Sequence, residues 1–252
     1  MSCLFLVHLC EEYFNFAPNK FHMNFNTTQY QELDCRGRAK CFDTLTSDEL
    51  EALEQAKLIV RYKKGEVIAK QGTSHPDILF LQNGFVKFYK EYPTTRTLTF
   101  IEKKCNFIGL FGLFVDNVKQ YTLVAHTDCV ICSFNKTHIE KLISKNNAFA
   151  VETIKNINHK TLHISNTLSN GSSKQMHGRM AWALLELSVT VFETETLKSL
   201  ITRKDIAEFT NMSVMSVGRI LREFADEKLI ELGKDFINIL EKDKLITICK
   251  NG

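Results

Sequence analysis

An α+β chain is the fold the sequence predicts, with an antiparallel β-barrel first, a long helix in the middle and a compact helical unit with a hairpin last. Three observations predict it. Short apolar and aromatic runs broken by turn residues occupy Val60 to Phe134, a heptad-like stripe follows from Ala150 to Leu168, and three helical patterns with a hairpin fill the remainder of the 252 residues. The length favours two domains, because single cores stop growing at about 250 to 300 residues.

The barrel rests on KKGEVIAKQG, DILFLQNGFVKFYKEYP, TLTFIEKKCNFIGLFGLF and QYTLVAHTDCVICSF. Each is rich in β-branched and aromatic residues and is bounded by Gly, Asn or Asp, the composition of half-buried strands. Asn83-Gly84, between ILFLQ and FVKFY, predicts a hairpin, since both residues tolerate positive φ. Repeated strands at this spacing predict a small antiparallel barrel or sandwich. Ahead of them, TSDELEALEQA has a Ser/Asp start and helical spacing at Leu50 and Leu53.

After the barrel the period changes. Ala150, Ile154, Ile157, Thr161, Ile164 and Leu168 are separated by 4, 3, 4, 3 and 4 residues, the seam of a coiled coil. The helix carrying it is about 24 residues and ~36 Å long at 1.5 Å per residue. A seam this narrow favours self-association over packing on the chain's own barrel, although the second arrangement stays open. Asn170-Gly171-Ser172-Ser173 is expected to break the helix and act as a hinge. The expected division is therefore an N-terminal extension at 1–34, the barrel at 35–140, the dimerisation helix at 141–170 and a last domain at 171–252.

In that last domain MHGRMAWALLELSVTVF predicts one helix. A second spans Thr202 to Phe209 and opens with Thr202-Arg203-Lys204-Asp205, a capping box with Asp205 in place of the usual Glu or Gln. Asn211 suits a left-handed turn residue, and Ser213 caps a third helix, Val214 to Glu227. On this third helix Val217, Ile220, Leu221 and Phe224 share one face, leaving Val214, Met215, Ser216, Arg219 and Arg222 near the other. Two helices joined by a short turn, the second with free N-terminal residues, have helix-turn-helix geometry, and IELGKDFINIL adds a hairpin as a wing.

Composition narrows the functional classes. With 44% apolar and 24% charged residues the chain has the makeup of a soluble globular protein, and a net charge of +3 identifies no partner. The eight cysteines lack the close spacing of a secreted disulfide scaffold, which points to a reducing, cytoplasmic setting. The opening MSCLFLVHLC is too short to span a bilayer and has neither a basic leader nor a cleavage site. No nucleophile elbow, phosphate-cradling glycine loop or HExxH motif is present, so the sequence does not predict an enzyme.

The run ITRKDIAEFTNMSVMSVGRILREFADEKLI closely resembles the DNA-binding signature of the Crp/Fnr transcription regulators. Gly65, Gly72, Gly84, Gly109 and Gly112 also fall where that family's cyclic-nucleotide-binding barrel has its turn glycines, and the resemblance covers about residues 35 to 245. It implies an antiparallel double-stranded β-helix (jelly-roll) barrel and a homodimer joined along the long helix. It also implies two winged helix-turn-helix units on a pseudo-palindromic site in double-stranded DNA, with RNA polymerase as a partner. Thr202, Arg203, Ser213 and Ser216 match positions that hold the phosphate backbone, and Lys204 adds a charge beside them. Arg219 matches a base-reading position, with Arg222 on the same side. Val214 and Met215 stand where cyclic-AMP receptor proteins carry Arg and Glu; neither forms hydrogen bonds with a base edge, and each suits a thymine methyl. The rival from another class is a protein-interaction scaffold that uses the winged helix without DNA.

For the effector, FIGLFGLFVDNVKQYTLVAH matches the family's phosphate cassette, so Gly109, Leu110, Gly112, Gln120 and Tyr121 are expected to form the pocket. Leu110 and Gln120 replace the carboxylate and the arginine that hold ribose and cyclic phosphate, which predicts no response to cyclic nucleotides. Lys119 supplies a cation only if it turns inward. An iron-sulfur cluster is a second possibility, since Cys35 and Cys41 match cluster cysteines of Fnr-like members and Cys132 falls near the distal one. Glu32 occupies the first cluster position, however, and four thiolates are the usual requirement, with Cys105 or Cys129 as substitutes. Thiol redox sensing, and haem or metal held by His159 and His163, complete the alternatives, against cysteines that serve as small buried hydrophobes.

Overall fold

The computed structural model describes residues 41–74, 77–115 and 118–252, apart from the side chains of 171–173. The expected extension at 1–34 and Cys35 lie outside them. The chain divides into two compact units between Ser172 and Ser173.

The first unit is built on eight strands: β1 (Leu58–Tyr62), β2 (Val67–Ala69), β3 (Asp77–Asn83), β4 (Phe85–Glu91), β5 (Arg96–Lys103), β6 (Asn106–Ile108), β7 (Thr122–Ala125) and β8 (Cys129–Asn135). They form two antiparallel four-stranded sheets in the orders β1-β8-β3-β6 and β2-β7-β4-β5, a jelly roll. Alternation along β3 shows how the layers are filled. Leu79 and Leu81 point between the sheets, where they meet Val86, Phe88, Phe100, Leu123 and Ile131. Ile78 and Phe80 point to the other face and join Phe107, Cys132 and Phe134. That outer face is covered by α1 (Ser47–Ala56) through Leu53 and by α2 (Lys136–Lys145) through Ile139. Both faces of β3 are buried, so its sequence reads as a continuous apolar run rather than an alternating one.

Asn83-Gly84 does not make the expected hairpin. β3 and β4 belong to different sheets, and the pair turns the chain from one to the other; the hairpin is instead β4 with β5, closed opposite Glu91 and Arg96. Gly84 has φ +93°, and a Cβ there would lie 2.5 Å from Asp128 O and 2.7 Å from Cys129 Sγ. Gly84→Ala should therefore lose about 1 to 3 kcal/mol of stability to backbone strain, with the clash added. Gly72→Ala, at φ +82° with nothing within 4 Å, carries the strain alone and should cost less in urea denaturation.

α3 spans Asn147–Ser173, 27 residues, so the Asn-Gly-Ser-Ser run does not break the helix but forms its last residues, where the two compact units divide. One interior glycine costs only about 1 kcal/mol against alanine, which a long packed helix tolerates. Its start is fixed by Asn146, whose Oδ1 accepts from Phe149 N at 3.0 Å while Nδ2 donates to Glu49 Oε2 at 2.8 Å. The expected seam is split between two faces. Ile157 packs on the outer core cluster and Ile164 on the inter-sheet core, and Thr153 and Thr167 are buried. Lys160 pairs with Glu102 and donates to Phe107 O at 2.6 Å. Ile154 and Leu168 are instead 56% and 54% exposed, on a face shared with Thr161, Val151 and Leu162. Residues three apart lie about 60° apart around a helix, so a 4-3-4 stripe has two edges, and the barrel takes one of them.

The second unit contains α4 (Met176–Leu185), a π turn at Glu186–Val191, α5 (Arg203–Thr210), α6 (Val214–Asp226), β9 (Ile230–Leu232), β10 (Ile237–Ile239) and α7 (Lys242–Asn251). The single helix expected from MHGRMAWALLELSVTVF ends in that π turn, with Phe192 N bonded to Leu187 O at 2.9 Å. Trp182 stacks on Phe209 with centroids 4.8 Å apart, and Val217, Ile220, Leu221 and Phe224 complete the core. α7 was not anticipated; Leu245 and Cys249, one helical turn apart, bury its inner face. Among the described residues no helix is long and apolar enough to cross a membrane.

Candidate functional site

The helix-turn-helix is assembled by local hydrogen bonds that its sequence specifies. Thr202 Oγ1 accepts from Asp205 N at 3.1 Å while Asp205 Oδ2 accepts from Thr202 N at 3.0 Å, a complete capping box at the start of α5. Asn211 closes the helix at φ 52°, ψ 46°, the left-handed region that Asn tolerates. Arg179 of α4 holds the turn by donating to Thr210 O at 3.2 Å. Ser213 then caps α6, its Oγ accepting from Ser216 N at 3.0 Å.

With one face of α6 in the core, the opposite face is presented to solvent at its N-terminal end. Val214 is 50% and Met215 83% exposed, and Thr202, Arg203, Lys204, Ser213 and Arg219 are exposed with them. Arg219 has a partner on its own helix: Nη1 donates to Glu223 Oε1 at 2.7 Å. Glu223 Oε2 meets His177 Nε2 of α4 at 2.8 Å, and the hydrogen bond to His177 first, then Arg219, holds the Glu223 carboxyl below the usual carboxylate range. A guanidinium carries five N–H donors, and this bond uses one of them. Arg222 folds back, with Nε on Gly218 O at 3.0 Å. The sequence reading missed the roles of Glu223 and His177, which no local spacing signals.

Within the barrel a cavity of about 50 Å³ is lined by Gly109, Gly112, Gln120 and Tyr121, together with Ile78, Phe88, Ile108 and Leu123. Four of the five expected pocket residues are there. Leu110 is not; it is buried in the outer core cluster with Phe42 and Phe107. The expectation that no cation faces the pocket is also corrected, because Lys119 turns inward and Gln120 stands exposed at the rim. Tyr121 and Leu123 also face the interior; Lys119 lies ahead of β7, where Lys119 N bonds Thr73 O at 3.0 Å and its carbonyl accepts from Gly72 N at 2.9 Å. Lys119 Nζ donates to Asp77 O at 3.0 Å and would lie 3.2 Å from a Cβ at Gly109. Burial pushes its pKa down, more than the nearby Asp77 carboxylate pushes it up. Tyr121 packs edge-on against Phe88 and Phe100, and its phenol is pushed up by burial.

Among the described residues the cysteines do not converge as a cluster would require; Cys35 lies outside them. Cys41 and Cys132 are both buried in the outer apolar cluster, and burial pushes the Cys41 thiol up to about 11, whereas a metal ligand must be a thiolate. Among the described residues no group of three metal-binding side chains converges. Cys129 Sγ contacts Phe85 O and Thr127 O at 3.2 Å beneath the Gly84 turn. His159 is exposed while His163 sits edge-on to Phe100 at 6.3 Å, so the pair faces two environments.

Two family profiles match the chain and together cover more than half of it: a cyclic nucleotide-binding domain at residues 59–146 and a Crp-like helix-turn-helix domain at 178–248. Among curated proteins no sequence matches. Among solved structures the chain is similar to FixK2 from Bradyrhizobium japonicum, with a TM-score of 0.69 at 16% identity over 76% of this chain and 96% of that one. It is similar to a transcriptional regulator of the Crp/Fnr family from Eubacterium rectale, with a TM-score of 0.67 at 19% identity over 83% and 97%. It also resembles the c-di-GMP-responsive global regulator CLP of Xanthomonas campestris, with a TM-score of 0.67 at 15% identity over 77% and 99%. At such identities these likenesses establish the shared fold. A jelly-roll barrel of the cyclic nucleotide-binding type, followed by a long helix and a Crp-like helix-turn-helix, places the chain in the Crp/Fnr family of DNA-binding transcription regulators.

Proposed function

We propose that the chain acts as a homodimer that reads a two-fold-symmetric DNA site through α6. The observation that carries this reading is the outward end of α6, where Val214, Met215 and Arg219 project beyond a cap made by Ser213. Arg219 reads a guanine edge, and Val214 and Met215 lie against thymine methyls. Thr202, Arg203, Lys204, Ser213 and Ser216 hold phosphates, as positioning contacts do. The second copy is supplied along α3, whose Val151, Ile154, Leu162 and Leu168 form an apolar face that the barrel leaves open. Half-sites then lie one helical turn apart, ~34 Å, on the same side of the duplex.

Selection of bound duplexes from a randomised pool tests the reading. A symmetric consensus supports it, and enrichment of no sequence refutes it. Lys204→Ala should weaken binding to selected and random duplexes alike and lower the slope of log K against log salt by about 1, because one phosphate contact is lost. A change confined to the selected site would move Lys204 from the backbone to a base.

A further inference from the structure

The barrel cavity has features of its own beyond its place in the fold. Its walls are Ile78, Phe88, Ile108 and Leu123, and an ammonium, that of Lys119, stands among them. Among the described residues Lys119 Nζ has one hydrogen bond, to Asp77 O at 3.0 Å. An ammonium has three donors, and those without an acceptor cost desolvation energy that an anion in the cavity would recover. Lys136 also lines the space, donating to Val115 O at 2.8 Å with Glu140 Oε1 at 3.6 Å, so its charge adds to the positive field. The Asp77 carboxylate opposes that field and is itself held by Ser133 Oγ at 2.7 Å.

The space is small, about 50 Å³, and partly open to solvent. A bare oxyanion would meet the ammonium but would make no use of the apolar wall of Phe88, Ile108 and Leu123.

We propose that this cavity binds a short-chain aliphatic monocarboxylate, its carboxylate on Lys119 and its alkyl chain against Phe88, Ile108 and Leu123. The proposal rests on the reading of the barrel as the effector domain of a regulator. Tyr121 gives such a ligand a route outward: it lines the cavity, packs on Phe100 at 5.8 Å, and Phe100 in turn meets His163 of α3 at 6.3 Å.

Titration calorimetry on the full chain with sodium propionate, inorganic phosphate and cyclic AMP tests it. Propionate should bind at least tenfold more tightly than either of the others, and at least tenfold less tightly to Lys119→Met, with Lys119→Arg closer to the parent. A second series needs no variant: affinity should rise from formate to propionate and fall again by hexanoate as the cavity fills. Phosphate bound as tightly as propionate, cyclic AMP bound through Lys119, propionate unaffected by Lys119→Met, or no binding of any carboxylate would each overturn the proposal. A chain that selects a DNA site yet binds no carboxylate overturns this inference alone and leaves the regulator intact.

Discussion

Ile154→Glu should turn a dimer into a monomer, whereas Ile157→Glu should leave association intact and weaken the barrel. The two residues are one turn apart, and a sequence stripe treats them as equivalent. Their surroundings differ. Ile154 is 56% exposed on the open face of α3, while Ile157 is packed against the cluster that includes Cys41, Phe42 and Phe149. In a two-fold dimer along α3 each carboxylate introduced at position 154 would be buried near its symmetry mate, so like charges add to desolvation and the cost is several kcal/mol, on the order of 3 to 5 for an uncompensated buried charge. At Ile157 the same carboxylate would sit in the chain's own core, and a penalty of similar size, discounted for partial exposure, would appear as a lower urea midpoint. Sedimentation equilibrium and denaturation on both variants separate the cases. Dissociation by Ile157→Glu with no effect of Ile154→Glu would mean that the dimer uses the other edge of the helix.

Arg219→Ala should cost about 1 to 3 kcal/mol at the selected site, roughly five- to 150-fold in affinity, and should relax preference at one base pair of each half-site. Binding to random DNA should change far less, because most of that affinity comes from the phosphate contacts. Arg219→Lys keeps the charge but loses the fork that meets a guanine edge at two points, so it should keep random affinity and lose most of the discrimination. The outcome also tests Glu223. In the unbound protein its carboxylate holds Arg219 at 2.7 Å, with His177 behind it at 2.8 Å. Glu223→Gln should therefore widen the range of sites accepted more than it alters the tightest one, since a positioned arginine discriminates better than one searching many rotamers. Equal losses on all duplexes would reduce Arg219 to a phosphate contact.

The helix-turn-helix was the most legible part of the chain. Its determinants are local: the Thr202–Asp205 box, left-handed Asn211 and the Ser213 cap are each satisfied within three residues, and the structure forms all three as the sequence dictates. The strands were legible as strands but not in their pairing. Asn83-Gly84 has hairpin chemistry, yet whether β3 and β4 pair is decided by where the two sheets part, and Gly84 is needed there because Asp128 and Cys129 crowd it. Leu110 was placed in the pocket by its match to the family cassette, whereas here an apolar side chain at that position gains more from the core beneath. Lys119 shows the opposite error. Position 120 matches the family's arginine, but Lys119 lines the cavity, and it is held ahead of β7 by backbone bonds to Gly72 and Thr73, which lie far away in sequence. α7 was obscured by its short, charge-rich sequence, in which only Leu245 and Cys249 mark the buried face.

In the proposed dimer two copies read one duplex with two α6 helices. Footprinting the purified protein on a duplex selected from the random pool, with stoichiometry measured on the same complex, tests this arrangement. Two chains per duplex are expected, with two protected major-groove segments about 10 to 10.5 base pairs apart on one side of the DNA, related by a two-fold axis. One chain per duplex, a single protected segment, or uniform protection that disappears with salt on every sequence would contradict it.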